Sequence, residues 1–112
     1  MAAGTYNFTL EQGSTFSRQI TVQENGTALN LTGYTARMQM RSTHDSSSIA
    51  LTFTAAIASP ASNGKINLGA TATATAAVEE GIYVYDLEIE SSAGTVTRIL
   101  EGTITVTPEV TR

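Results

Sequence analysis

The chain has 112 residues and a formal net charge of −4, with a pI near 4.8, and this length supports one hydrophobic core in a single domain over 1–112. It contains no cysteine, which excludes a disulfide framework, a thiolate metal site and a cysteine nucleophile. The six basic residues are scattered along the sequence, which argues against the clustered cations of a nucleic-acid-binding protein.

The N-terminal residues lack the basic region and the apolar core of a signal peptide. No apolar run approaches the roughly 20 residues that a membrane span needs, so we expect neither a secretion signal nor a membrane segment. Only 14% of the residues are charged. Because so little charge leaves weak repulsion between copies, the composition favours a protein that packs among neighbours.

The first part of the chain predicts short strands separated by turns. Apolar and polar residues alternate over 6–10 and again over 15–23, which is the period of a strand with one buried face. Arg18 interrupts the second apolar face, and this indicates an edge or rim position from which its guanidinium reaches water. Asn25-Gly26 then favours a two-residue hairpin turn.

The middle of the chain contains a strand, a loop and a second strand. Alternation over 34–41 places Met38 and Met40 on an apolar face, where they are interpreted as core residues. The polar stretch 42–48 has nothing to bury and predicts an exposed loop. Alternation resumes over 49–53 and predicts the next strand.

The last part of the chain predicts a helical turn and a long hairpin. The Thr/Ala-rich segment fits either a strand or a helix, and its alanines together with Gly81 favour a helical turn over 71–78. Two alternating segments within 81–107 then flank a Gly-containing turn, and Pro108 ends the last strand because it has no N–H to donate.

The regular spacing of about seven to nine strands predicts an all-β fold, namely an immunoglobulin-like antiparallel β-sandwich with the one short helical turn. Tyr83 follows Gly81 near the start of a late strand. In immunoglobulin-like folds a tyrosine there bonds back to the preceding corner. A plain core position for Tyr83 is the alternative interpretation.

Two groups of residues resemble chemical sites. Asp86, Glu88 and Glu90 share one strand face, but same-face side chains about 7 Å apart cannot close around one calcium ion. We interpret them as a solvated face, paired with Arg37 and Arg41 on a neighbouring strand.

His44-Asp45-Ser46 contains the residue types of a hydrolytic triad, but adjacent loop residues cannot hold the geometry that a triad needs. The chain has no other histidine, and it lacks the glycine-rich loops that bind phosphates. We therefore expect no catalytic residue, no metal ligand and no cofactor, and hence a protein that is not an enzyme.

Several motifs together resemble a family of small virion proteins of tailed bacteriophages, including cyanophages, and the N-terminal β-sandwich of upper baseplate proteins from phages of Gram-positive hosts. The motifs are Phe8-Thr9-Leu10-Glu11-Gln12-Gly13-Ser14-Thr15-Phe16, Leu31-Thr32-Gly33-Tyr34-Thr35-Ala36-Arg37-Met38-Gln39-Met40-Arg41, Gly81-Ile82-Tyr83-Val84-Tyr85-Asp86-Leu87-Glu88-Ile89-Glu90, Val96-Thr97-Arg98 and Leu100-Glu101-Gly102. Unlike the baseplate proteins, the sequence has no continuation after Arg112, so a direct adhesin role is not expected.

The resemblance implies a non-enzymatic structural component of a phage particle, located in the virion after assembly in the host cytoplasm. A tail, baseplate or neck position is favoured, and a capsid decoration (cement) protein is the alternative. A carbohydrate- or receptor-binding module is the second alternative. The expected partners are other virion proteins and copies of the chain itself, as a homotrimer by analogy, with no nucleic acid or membrane partner.

Three residues are candidates for the partner interface. Tyr6 and Phe8 lie near the chain start and are able to cover a neighbouring subunit, although an internal core strand is the alternative interpretation. His44 lies in the polar loop 42–48, which is a further candidate contact segment.

Overall fold

A computed structural model describes residues 4–24 and 26–110, and most of these residues lie in strands. The elements in chain order are β1 (Gly4–Thr5), β2 (Phe8–Glu11), β3 (Phe16–Thr21), β4 (Gln23–Glu24), β5 (Thr27–Ala28), β6 (Thr35–Arg41), β7 (Leu51–Ile57), the 3-10 turn η1 (Ala61–Asn63), β8 (Lys65–Ala70), α1 (Ala72–Ala76), β9 (Gly81–Glu90) and β10 (Val96–Thr107). The all-β prediction is confirmed. The strand number exceeds the expected seven to nine because β1, β4 and β5 are two-residue segments.

Backbone hydrogen bonds join most of these strands in one path. The order is β1, β10, β9, β6, β7, β8 and β3, while β2 pairs with β10 alongside β1. β7 pairs with β6 through Leu51–Phe53 and with β8 through Thr54–Ile57, so it joins two groups of strands. The group that contains β10, β9 and β6 is a curled half-barrel. The expectation of an entirely antiparallel arrangement is wrong at one edge: β1 and β2 run parallel to β10, since the first and last strands lie side by side in the same direction.

The core lies on the concave side of these strands and follows the alternation of the sequence. Tyr85, Leu87 and Ile89 of β9 are buried, while the residues between them face outward. Met38 and Met40 of β6 are buried as predicted. Truncating a buried methionine of this kind to alanine costs about 2–5 kcal/mol, so these positions contribute much of the stability of the sheet.

The helical turn expected over 71–78 is present as α1, with the Thr71 side chain as its N-cap. Thr75 is fully buried, and its Oγ1 donates to the Ser14 carbonyl at 2.8 Å and accepts from the Gly13 N–H at 3.1 Å. This hydroxyl therefore fastens α1 to the turn between β2 and β3.

The turns agree with their sequence signals. The Tyr83 hydroxyl donates to the Glu79 carbonyl at 2.8 Å, which is the backward hydrogen bond that the corner interpretation of Tyr83 requires. β4 and β5 pair Glu24 with Thr27, as a two-residue turn requires, although Asn25 lies outside the described residues. In the described part of the chain, no helix has the length and apolar character needed to cross a membrane.

Candidate interaction surface at the seam

The two ends of the strand path lie next to each other and leave an opening, here called the seam. Within residues 4–24 and 26–110, β3 is the last strand of the path, and its second side is unpaired. The turn after β2 brings β3 back toward β2, and the rings of Phe8 and Phe16 stack with centroids 5.3 Å apart. The edge position that the sequence indicated for Arg18 is thus confirmed.

Tyr6 lies at the seam in the break between β1 and β2. It was expected inside the first strand, and the structure corrects this because residues 6 and 7 leave the ladder. The Asn7 Oδ1 accepts the Thr103 N–H at 2.9 Å, in place of a backbone carbonyl. The side chain of Asn7 therefore interrupts the strand while keeping this donor satisfied.

The backbone of Tyr6 is held from two sides. Its N–H donates to the Glu101 carbonyl at 2.9 Å, and its carbonyl accepts from the Tyr85 hydroxyl at 2.5 Å. The close approach depends on Gly102, where a Cβ would lie 2.3 Å from the Tyr6 carbonyl oxygen. The glycine thus lets the chain start dock against β10 and fixes the direction of the Tyr6 ring.

Arg18 lies over the aromatic rings of the seam. Its guanidinium carbon is 5.8 Å from the Tyr6 centroid, 5.6 Å from that of Phe8 and 5.3 Å from that of Phe16. It also donates a hydrogen bond to the Tyr6 hydroxyl. Each such cation–π contact contributes roughly 0.5–1 kcal/mol at an exposed site. The three contacts together hold the Arg18 guanidinium against the apolar surface of the rings.

Among the residues that the structure describes, the cation on these rings has no acidic partner. No carboxylate lies within salt-bridge distance of Arg18 among the described residues, although Arg37 and Arg98 both have such partners. Beside Arg18 the seam widens into an open groove of about 580 Å³. Its apolar lining includes Ile20, Ile99 and Leu100. The seam therefore combines exposed apolar surface with one uncompensated positive charge.

Burial raises the pKa of Tyr85 to about 12, and the neighbouring Tyr6 adds to the effect. The Tyr85 side chain is 4% exposed, and its ring meets Phe8 edge to face with centroids 5.3 Å apart. Its hydroxyl therefore stays protonated and remains a hydrogen-bond donor to Tyr6 over the whole physiological pH range. It acts as a structural clamp and not as a proton-transfer group.

The outer face of β9 carries the carboxylates named from the sequence. Arg37 bonds Glu88 at 2.9 Å and Glu90 at 3.1 Å, as predicted. Arg98 on β10 lies 3.4 Å from Asp86. Burial, and secondarily the nearby Glu88, raise the pKa of Asp86, while Arg98 opposes them. The face is thus balanced by exposed ion pairs, which contribute little to stability.

The predicted pairing of Arg41 with these carboxylates is wrong. Its guanidinium donates to the Ser46 carbonyl at 2.9 Å and to Gln39 Oε1 at 3.1 Å. Arg41 ends β6 and therefore reaches the following loop more easily than the carboxylates of β9. It braces that loop against the sheet.

His44 lies apart from Tyr6 and Phe8. It is exposed and lines a polar pocket of about 220 Å³ above the outer face, together with Asp86 and Arg98. Ser46 in the same loop bonds Ser48 through its hydroxyl. The structure thus brings two of the three candidate interface residues together at the seam and places the third on another surface.

The described residues hold no group of three or more His, Asp or Glu side chains positioned to bind a metal ion. No known protein-family model matches the chain, and a search of curated proteins finds no significant match. The resemblance to phage virion proteins therefore remains a prediction from the motifs.

The seam was not predicted from the sequence. The alternation placed Arg18 at a rim but did not indicate that it lies on the rings of Tyr6, Phe8 and Phe16. The sequence signal that could have indicated this contact is the alternation in β3, where Arg18 occupies a position of the apolar face between Phe16 and Ile20. A charged residue at such a position needs either water or an aromatic surface for its guanidinium.

Proposed function

We propose that this chain is a non-enzymatic structural protein of a tailed-bacteriophage particle, acting through sheet and loop surfaces. The observation that carries the proposal is the edge of β3 beside the aromatic seam, which no other described strand pairs with, in an all-β frame. An exposed strand edge is a ready site for adding another chain. A protein that joins subunits needs a rigid frame with such an edge and needs no reactive group.

We further propose that the fold is a variant of the immunoglobulin-like sandwich. Two features support this. The pairings β3–β8–β7 and β6–β9–β10 correspond in chain order to the two sheets of an immunoglobulin constant-type domain. The bond from the Tyr83 hydroxyl to the Glu79 carbonyl has the geometry of the tyrosine corner, since Tyr83 lies near the start of the strand that follows α1.

The side chains of the chain support a role without catalysis. The Ser46 hydroxyl is engaged within its own loop, His44 is exposed, and the Tyr85 hydroxyl is committed to the Tyr6 carbonyl. Among the described residues, no buried side-chain polar atom lacks a hydrogen-bond partner. Polar groups in this protein are thus used to satisfy the fold.

Within the particle we favour a tail, baseplate or neck position over capsid decoration, on the motif resemblance alone. The partners would be other virion proteins and further copies of the chain, with a homotrimer expected by analogy. An acidic, low-charge surface with an open strand edge suits either position. Carbohydrate binding is the competing function, with Tyr6 as the exposed aromatic beside the groove.

Immunogold electron microscopy of purified particles tests the proposal, using virions produced with an epitope tag on this protein. Label at the tail, baseplate or neck supports the proposal. Label spread over the head establishes the decoration alternative. Absence of the protein from purified virions, verified by mass spectrometry, refutes the proposal, and saturable binding on a glycan array would then favour the carbohydrate-binding module.

A further inference from the structure

We propose that two copies of this chain pair through the free edge of β3, antiparallel about a twofold axis, with Gln19 of one copy opposite Gln19 of the other. The inference rests on the proposed role in assembly, names the surface and the register of the contact, and replaces the homotrimer expected by analogy with a twofold pair. It is derived from the pairing geometry of β3 and from the side chains along its edge.

The backbone groups available for pairing follow from the β8 side of the strand. β3 pairs with β8 from Phe16 to Thr21 without a register shift, and in the same register the next residue, Val22, donates to the Gly64 carbonyl at 2.7 Å. In an antiparallel strand, successive residues direct their N–H and C=O groups to opposite sides. Even-numbered residues of β3 therefore bond β8, and the outward groups belong to Ser17, Gln19 and Thr21.

The side chains of this edge leave it open to a second strand. Ser17, Gln19 and Thr21 are uncharged and exposed. Natural edge strands are usually protected by lysine, proline, bulges, short length or an inward-pointing charge. β3 is six residues long and contains no proline or lysine, so Arg18 is the one protecting device within the strand. The opposite end of the strand path is less suitable, because β1 and β2 are interrupted at residues 6 and 7.

Pairing geometry limits the register. In a twofold pair, opposite residue numbers add to a constant, and Ser17, Gln19 and Thr21 must face one another because they carry the outward groups. Near the middle of β3 this leaves Arg18, Gln19 or Ile20 on the axis. Gln19 on the axis gives three hydrogen-bonded pairs within the strand, with two bonds per pair. Arg18 or Ile20 on the axis gives only two such pairs.

Charge selects the same register. With Arg18 on the axis, two guanidinium groups would lie directly opposite each other, which is destabilising. With Gln19 on the axis, Arg18 lies opposite Ile20 of the second copy, and the two arginines are diagonal neighbours. The apolar stem of Arg18 then packs on Ile20, which is only partly buried in the single chain. The charge of Arg18 therefore disfavours the register with Arg18 on the axis and is compatible with the register that has Gln19 on the axis.

A single strand edge makes a small interface, which belongs with the weak, transient class of protein–protein contacts. We therefore expect the pair to be sparsely populated in dilute solution. Within a particle that holds many copies close together, the effective concentration is high enough for such contacts to form. A disulfide traps the pair covalently, so it detects the contact both in dilute solution and in the particle.

The absence of native cysteine allows a direct test with single thiols. In the proposed register, the Cα atoms of the two Gln19 residues are about 5.5 Å apart, within the range that a disulfide spans. Gln19→Cys is expected to form a covalent dimer on mild oxidation. Ser17→Cys, equally exposed on the same edge, is the matched control: the two Ser17 residues lie roughly 13 Å apart along the strands, so it is expected to stay monomeric.

The double variant Ser17→Cys/Thr21→Cys is expected to recover the covalent dimer, since Ser17 faces Thr21 of the second copy. Non-reducing electrophoresis and intact mass measure each product. Equal cross-linking of Gln19→Cys and Ser17→Cys, or cross-linking of neither, would overturn the pairing. Cross-linking of Arg18→Cys in preference to Gln19→Cys would overturn the register.

Sedimentation equilibrium at up to about millimolar concentration supplies a second measurement that needs no thiol. Gln19→Lys places two cations opposite each other across the axis, so we expect association that is weaker by up to about fivefold. Thr52→Lys is the matched control, since Thr52 is exposed on the central strand β7. Circular dichroism verifies that both variants fold. A strictly monomeric or purely trimeric wild-type chain contradicts the inference.

The outcomes separate this inference from the proposed function. If the protein is found in virions but Gln19→Cys does not cross-link, the edge pairing fails and the structural role stands. If Gln19→Cys cross-links but the protein is absent from virions, the pairing stands and the phage role fails.

Discussion

Gly102 allows the chain start to dock on β10, so Gly102→Ala is expected to detach it. The new Cβ would lie 2.3 Å from the Tyr6 carbonyl oxygen and 2.7 Å from Asn7 Oδ1. Three hydrogen bonds depend on this approach: those that Tyr6 makes with Glu101 and Tyr85, and the one from Thr103 to Asn7.

At about 1 kcal/mol for each bond the loss is roughly 3 kcal/mol. Replacing glycine by alanine in a strand offsets about 0.5–1 kcal/mol of this through the lower entropy of the unfolded chain. We therefore expect Gly102→Ala to lower the free energy of unfolding by about 2 kcal/mol, which corresponds to a fall in Tm of roughly 8 °C.

Urea unfolding followed by far-UV circular dichroism measures the change. Gly4→Ala is the matched control, because a Cβ at Gly4 meets nothing nearer than 3.8 Å. The control is expected to stay within about 0.5 kcal/mol of the wild type. If both variants unfold at the same urea concentration, the close approach of residues 6 and 7 to Gly102 does not contribute to stability, and the account of how Tyr6 is positioned is refuted.

Three further predictions concern hydroxyl groups. Thr75→Val is expected to cost about 2 kcal/mol because the Gly13 N–H and the Ser14 carbonyl each lose a hydrogen bond to the buried hydroxyl. Thr73→Val, exposed on the same helix, should be neutral in urea unfolding, and equal losses would contradict the role of Thr75. Tyr83→Phe should cost about 1 kcal/mol because it removes the bond to the Glu79 carbonyl. Tyr34→Phe is the control and should cost less in the same assay. The folded-state pKa of Tyr85 is raised to about 12 from 10, so its contribution is complete below pH 10 and is lost as the pH rises toward 12. The free energy of unfolding should fall by roughly 2 kcal/mol over that window, and by less in Tyr85→Phe; an unchanged slope in that variant would exclude Tyr85 as the cause.

Local patterns in the sequence predicted most of the elements. Alternation located the buried face of β9 and the core positions of Met38 and Met40 because the side chains of a strand alternate strictly between faces. Gly81 and the preceding alanines indicated the position of α1. These features depend on neighbours in the chain, so the sequence carries them directly.

Pairings between distant segments were not predictable in the same way. The sequence favoured Arg41 as a partner of the β9 carboxylates, but Arg98 from β10 takes that place beside Asp86. Likewise, nothing in the local pattern says that residues 6 and 7 leave the ladder. That break depends on Asn7 meeting Thr103, which is 96 residues away in the chain.

The amino-acid sequence by itself determined that this protein is built from short amphipathic strands and that Arg18 belongs to an edge. Only the tertiary structure decided which edge stays open. β7 pairs with β6 along one half and with β8 along the other, and the chain start pairs with β10. These two arrangements determine whether a second strand pairs with β3. Both arrangements depend on contacts between segments that are far apart in the sequence. The free energies of such contacts cannot be read from a local pattern of residues.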